Sequence, residues 1–400
     1  MVTQKITLNN PEKYASVPKI SREKLIKAAE KATDKLEELS KKYGVAFPAT
    51  RSIEYKYQCA ENKNWEAGMY TGCYWRAYQI TGNKYFREVA ESHLPTYEHR
   101  YINRISMDDH DVGFVFIPSC IAAYKLTGNE WARELAIKVA DYYYRMSYSA
   151  EGKFLIRSYR MWQGGVYAGY RTMMDSLMNA PLLFWATEET GDPKYAAAAL
   201  NHERTTERYL IREDGSSFHH YQFDTATSHP VNGVTLQGYS DDSCWSRGHS
   251  WGVYGFPMAY NHIKASFLPA VHKDISYFML NHLPEDNIPY WDYNFTSGDE
   301  SRDASAAVIS ACGMLEMAKN LPDSAEQKTV FESASAQLVE ATIDRCTTPL
   351  TVNNYDGLIH HVTHAKPQGQ GIDQCAVYGD YFYLEALERY LNPNGFVNFW

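Results

Sequence analysis

Gln79-Ile80-Thr81-Gly82-Asn83-Lys84-Tyr85, Lys125-Leu126-Thr127-Gly128-Asn129-Glu130-Trp131 and Glu189-Thr190-Gly191-Asp192-Pro193-Lys194-Tyr195 repeat one signature along a 400-residue chain. Each reads as a helix end, a glycine C-cap and an aromatic-led restart of an antiparallel helix. The steps between the three glycines, 46 and 63 residues, are unequal. That predicts a repeated helical hairpin with inserted loops, not a strict short-period solenoid.

The segments on either side of these stops fall into two kinds. Those near 66–80, 111–126, 172–187, 244–261 and 303–319 are poor in charge and rich in small or apolar residues. Those near 22–43, 84–101, 130–147, 193–210 and 325–344 carry many charges on one face. In the first of the charged kind, Leu25, Ala29, Ala32, Leu36 and Leu39 share a face, with Ser21 as N-cap and Gly44 as stop. The last has a capping box in Ser324 and Gln327. A final pair is completed by 269–283 and 373–391. Inner helices shielded by outer ones predict an all-α fold, an (α/α)6 barrel of six hairpins around a central cavity. Strand-like patterns are few, and 154–170 and 215–235 read as excursions over its mouth. The absence of a Pro/Gly/Ser linker predicts one catalytic domain over 1–400, with 1–20 as an N-terminal extension.

Composition narrows the function. The chain is 44% apolar and 22% charged, the balance of a soluble protein with a sizeable core. Its formal charge of −9 argues against nucleic acid as a partner, since phosphate contacts need clustered Lys and Arg. No run of 18 apolar residues exists, so no membrane span is expected. The first ten residues lack a signal-peptide core, which points to the cytoplasm, or to the periplasm if a signal has been removed. Seven scattered cysteines suggest neither a zinc site nor a disulfide framework, and a reducing compartment is the default. The 32 Tyr and 9 Trp suit either a thick helical core or rings that stack on sugar faces.

The residues fit for chemistry begin with Asp175, a carboxylate inside the apolar stretch Tyr170 to Trp185. An unpaired ionised carboxylate there costs several kcal/mol or takes up a proton. General acids are kept in that condition, although a buried Asp tied down by hydrogen bonds is the alternative. Asn179, four residues on, shares its helix face and is placed to hydrogen-bond it. Asp108-Asp109-His110-Asp111 opens another inner helix, with capping or catalysis as its two readings, and Asp111 is the best candidate of the four. Two acids in separate inner helices match the paired carboxylates of glycoside hydrolysis. Arg247 and Trp251, at i and i+4, put a guanidinium and an indole on one face, suited to a sugar carboxylate and a pyranose face or to an internal cation–π pair. His219 sits on a loop as a candidate donor. Trp65, ahead of Gly68 and Gly72, is a candidate platform or a core residue.

Taken in order, these clusters resemble the unsaturated glucuronyl hydrolases of glycoside hydrolase family 88. The likeness is carried by Trp65 to Trp75, His110-Asp111-Val112-Gly113-Phe114, Met174 to Asn179, Asp214 to His219 and Gln237 to Gly255. It continues through Tyr290-Trp291-Asp292, Arg302 to Ala307 and Gly379 to Leu387, most of the chain after about residue 60. The resemblance implies the six-hairpin barrel and an oligosaccharide substrate with a 4,5-unsaturated uronic acid at its non-reducing end, of the kind polysaccharide lyases release. It implies that Asp175 is the general acid/base, protonating C4 and helping to deliver water to C5. Asp111 would hold the sugar hydroxyls and keep the pKa of Asp175 high. His219, Gln237, Arg247 and Trp251 fall at positions used around the unsaturated ring, Arg247 as carboxylate partner being a chemical inference. No metal and no organic cofactor is implied.

His249-Ser250 stands where family members often carry Gln-Ala. The segment Leu358 to Gly371 corresponds to the region that meets the next sugar, and its three His and one Lys suit a sulfate or a plain polar loop. The competing readings are an unsaturated rhamnogalacturonyl hydrolase acting on pectin fragments, a non-catalytic carbohydrate-binding protein on the same scaffold, and a sugar epimerase.

Overall fold

A computed structural model describes residues 6–156, 170–349 and 354–400. The repeated signature is a helix junction in all three copies. Gly82, Gly128 and Gly191 take φ values of +68°, +68° and +73°, and each N–H donates to the carbonyl four residues back at 2.8 Å. A side chain with a Cβ is strained in that region, so glycine is the residue the stop requires. The threonine before each glycine bonds back to the helix, Thr81 to Ala77, Thr127 to Ala123 and Thr190 to Ala186. The residue after it, Asn83, Asn129 or Asp192, caps the next helix through its side-chain oxygen. Such a cap contributes about 1 kcal/mol. One tripeptide thus ends an inner helix and starts an outer one.

Six hairpins follow. Outer α1 (Arg22–Tyr43) precedes inner α2 (Ala67–Thr81), and outer α3 (Lys84–Ile102) precedes an interrupted inner helix, α4 (Val112–Phe116), a π-helical turn (Ile117–Ile121) and α5 (Ala122–Thr127). Outer α6 (Glu130–Ser147) leads to inner α7 (Pro181–Thr190), and α8 (Pro193–Tyr209) to α9 (Ser246–Ile263). Outer α10 (Phe267–Asn281) leads to α11 (Ala304–Asn320), and α12 (Glu326–Cys346) to α13 (Val377–Leu391). Inner α13 packs on both α11 and α2, closing the ring. The fold is an (α/α)6 barrel. Among the described residues no helix is long and apolar enough to cross a membrane.

Four details differ from the sequence reading. Segments 269–283 and 373–391 are helical but do not pair: α10 packs on α9, whereas α13 is an inner helix beside α11. The helix at 326 is capped at Ala325 without a side-chain bond, so the Ser324/Gln327 box is not its start. The inner helix near 111–126 is broken by Pro118, which cannot donate to the helical ladder and sits in the π-turn. Segment 172–187 is not one helix either. After two short antiparallel pairs, β1 (Phe47–Ile53) with β2 (Lys56–Ala60) and β3 (Tyr148–Ser149) with β4 (Phe154–Leu155), strand β5 (Tyr170–Met173) runs into a 3₁₀ turn (Met174–Met178), and α7 begins at Pro181, since proline is favoured at the first helical position.

Among the described residues the two excursions contribute short strands. β5 pairs antiparallel with β6 (His220–Phe223), which pairs with β7 (Pro230–Val234). Residues 157–169 of the first excursion lie outside the described residues.

Candidate active site

Asp175 stands on the 3₁₀ turn between β5 and α7, at the end of a strand and not on a helix face. The β5–β6 register pairs Met173 with His220, and Met174 N donates to His219 O. That pairing carries His219 across the sheet to Asp175, with Nε2 3.1 Å from Oδ2. His219 is buried and is not a solvated loop residue, while the Asp175 side chain keeps 14% exposure. Burial pushes the carboxyl upward, but the charge and hydrogen bond of His219 outweigh it, with smaller help from His110 and Arg247. The net pKa lies below the usual carboxylate value. In this state Asp175 is a paired carboxylate, which corrects the expectation of a raised pKa. The His219 imidazole is what favours the ionised form.

Asn179 does not bond the carboxylate of Asp175 as expected. Its Nδ2 donates to the main-chain carbonyl of Asp175 at 2.9 Å, and its Oδ1 accepts from Phe114 N at 2.8 Å. It therefore staples the turn bearing Asp175 to the helix start bearing Asp111. The two segments touch because Gly113 has no side chain: a Cβ there would lie 2.5 Å from Asn179 Cα. Asp111 occupies the N-cap position of α4 but its side chain makes no capping bond. It faces His110 instead, whose Nε2 is 3.2 Å from Asp111 Oδ1 and whose Nδ1 is 2.5 Å from Asp109 Oδ1. Asp109, His110 and Asp111 also present ligand atoms within 4.8 Å of one another, the grouping among the described residues with the geometry to hold a cation. The charge of His110 also favours the ionised form of Asp175.

Arg247 is buried, and its partners are protein groups. Nη1 donates to Asp303 Oδ2 and to Thr363 O, each at 2.6 Å, and Nη2 donates to His364 O. Its guanidinium lies 4.5 Å from the Trp245 ring and 4.7 Å from that of Tyr378, so the internal cation–π reading holds, with those two rings in place of Trp251. Trp251 is 1% exposed and packs on Phe114 and Phe382. Trp65 stacks on Tyr378 at 5.2 Å and 21° and meets Phe114 and Trp251. These rings form a continuous aromatic floor. Gln237 Nε2 donates to His364 O at 3.4 Å, joining the loop after β7 to the 358–371 segment.

Side chains of that segment are engaged by protein groups outside it. Lys366 meets Glu300 and Ser301, His361 Nδ1 lies 2.6 Å from Asp373 Oδ1, and His364 is held neutral by burial and by nearby Arg247 and Arg51. His249, at the departure from the family pattern, is a supporting residue. Its Nε2 lies 2.9 Å from Ile275 O and its Nδ1 3.0 Å from Ser217 Oγ, two residues before His219. Burial lowers its pKa to about 4, so it is neutral.

The structure thus gathers Asp175, His219 and the Asp111 cluster, and connects Trp65, Trp251, Gln237 and Arg247 around them. The sequence reading left out Trp245, whose ring is 4.6 Å from His219, as well as Tyr378 and Asp303. Asp303 was visible as an acid directly before the apolar run of α11, but in that place it reads as a helix cap. It is one, accepting from Ser305 N, and it neutralises Arg247 as well.

The chain is similar to known proteins over most of its length. The profile of Glycosyl Hydrolase Family 88 matches residues 39–356. The unsaturated chondroitin disaccharide hydrolase of Streptococcus pneumoniae (strain ATCC BAA-255 / R6) is 37% identical over 385 residues, 96% of each chain. The crystal structure of unsaturated glucuronyl hydrolase from Streptococcus agalactiae matches with a TM-score of 0.93 at 34% identity, covering 99% of this chain and 98% of that one. A mutant of the unsaturated glucuronyl hydrolase from that organism, complexed with dGlcA-GalNAc6S, matches with a TM-score of 0.87 at 32% identity over the same shares. The chain belongs to glycosyl hydrolase family 88 and is a glycoside hydrolase.

Proposed function

We propose that this enzyme removes a 4,5-unsaturated uronic acid from the non-reducing end of lyase-generated glycosaminoglycan oligosaccharides by hydrating the vinyl ether. The observation that carries the reading is the Asp175–His219 contact at 3.1 Å. A carboxylate and an imidazole at that distance share a proton, and the pair titrates as a unit. A bound uronate, itself anionic, favours placing that proton on Asp175, from which it passes to C4. The carboxylate then accepts the proton of the water that adds to C5. The resulting hemiketal opens and releases the remaining sugar. Asp111 orients the sugar hydroxyls, and Trp65 offers the ring face against which the unsaturated sugar lies.

The substrate class follows from the relatives: one is named for chondroitin disaccharide and one binds dGlcA-GalNAc6S. Lys366, a cation complementary to a sulfate, lies on the segment expected to meet the next sugar. A disaccharide with sulfur in place of the glycosidic oxygen tests the mechanism. Its linkage resists acid-assisted displacement at the anomeric carbon, whereas its double bond hydrates normally. Turnover comparable to the oxygen-linked sugar is expected; resistance of the sulfur analogue would point to direct displacement.

A further inference from the structure

Asp292 is wholly buried, and its carboxylate ties two surface turns together. Oδ2 accepts from Tyr239 N at 2.9 Å and from Ser243 Oγ at 2.6 Å, while Oδ1 accepts from Asn294 N at 2.9 Å. The consequence is a fixed aromatic ledge. Tyr239 is 59% exposed, its ring set edge-on to Phe295 at 5.2 Å and 80°, and Phe295 stacks on Trp291 at 6.0 Å and 29°. Single exposed aromatics are ordinary, but one backed by two further rings and anchored at its own backbone is pre-organised.

Its position gives it a ligand. Tyr239 follows Gln237 by two residues, and Gln237 reaches the 358–371 segment through His364. Gln368 Nε2 donates to Leu236 O at 3.0 Å, a second tie between the same two loops. Lys366 Nζ lies 5.3 Å from the Trp291 ring centre, so the far end of the ledge adjoins that segment as well. The ledge therefore adjoins the loops around the site, including the 358–371 segment that the family resemblance sets against the next sugar.

We propose that Tyr239 and Phe295 form a distal saccharide subsite that stacks against a pyranose ring beyond the sugar joined to the unsaturated residue. The C–H faces of a pyranose are apolar, and a rigid aromatic surface covers them at low entropic cost. The assignment rests on the proposed function and makes the enzyme sensitive to chain length.

The test compares unsaturated chondroitin disaccharide with the corresponding tetrasaccharide in wild type, Tyr239→Ala and Tyr239→Phe. In Tyr239→Ala the ratio of tetrasaccharide to disaccharide kcat/KM is expected to fall by about threefold to tenfold, the factor that one aromatic contact carries. Tyr239→Phe keeps the ring and should restore the ratio. A ratio that does not change in Tyr239→Ala overturns the subsite. Calorimetric titration of both sugars reads the same length dependence without turnover. Failure of the wild type to consume either sugar would reject the proposed function alone. In that case tighter tetrasaccharide binding that Tyr239→Ala loses still supports the ledge, and equal affinities in wild type overturn it.

Discussion

Asp175 Oδ2 and His219 Nε2 are 3.1 Å apart although 44 residues separate them in the chain, and the β5–β6 pairing is what joins them. That contact favours the ionised form of Asp175, the acid of the proposed mechanism, whose proton reservoir in that mechanism is the pair.

His219→Gln should move the alkaline limb of the kcat/KM profile to lower pH. In the wild type the pair keeps its last proton up to the range of an imidazolium stabilised by a carboxylate. In the variant that proton resides on Asp175 alone, and a carboxyl group gives it up earlier. A pH–rate series on an unsaturated disaccharide checks this. An alkaline limb that stays in place would mean that His219 does not share the catalytic proton.

Gly113→Ala should lower kcat/KM on the order of a hundredfold while the protein remains folded. The added Cβ would come within 2.5 Å of Asn179 Cα, so α4 and the Asp175 turn must separate. A displacement near 1 Å between catalytic groups costs about that factor. Circular dichroism with steady-state kinetics separates the two effects, and wild-type kinetics in the variant would remove the positioning role given to this contact.

Arg247→Ala should act on stability before it acts on binding. The Arg247–Asp303 pair is 2% and 0% exposed, and removing one partner leaves a buried charge behind. Loss of about 3–5 kcal/mol is expected by urea unfolding. A stability within about 1 kcal/mol of wild type, accompanied by a raised KM, would instead make Arg247 a direct partner of the substrate carboxylate.

Asp380 supplies a pH dependence of the fold itself. Burial raises its pKa to about 7, against hydrogen bonds from Tyr57 Oη and the Leu358 and Ile359 amides that favour the charged form. The unfolded value is about 3.9. A raised folded pKa gives stability that is complete below the unfolded value and is lost as pH rises through the folded one. Asp380→Asn cannot ionise, so its Tm should improve relative to wild type as pH climbs from about 4 to about 7. Parallel Tm curves across that window would contradict the assignment.

The parts of this molecule legible in its sequence are the local ones. Thr81-Gly82-Asn83 and its two counterparts mark helix junctions because every bond they make lies within a few residues. Asp175 stands out because its neighbours are apolar, and Asp111 because it is the acid of its cluster nearest the apolar run that follows. What the sequence hides is long-range pairing. Nothing near Asp175 announces His219, and nothing near Arg247 announces Asp303, 56 residues on. The same blindness made Asp175 look like an unpaired acid. The helix expected over 172–187 is a different case, since Pro181 is a local signal that a helix begins there.

The most direct measurement is the loss of ultraviolet absorbance from the 4,5 double bond, followed with sulfated and unsulfated unsaturated disaccharides in wild type and in Asp175→Asn. Loss of absorbance with wild type and none with the variant, which should still bind the sugar, is the predicted result. Near-normal turnover by Asp175→Asn would contradict the role given to the Asp175–His219 pair.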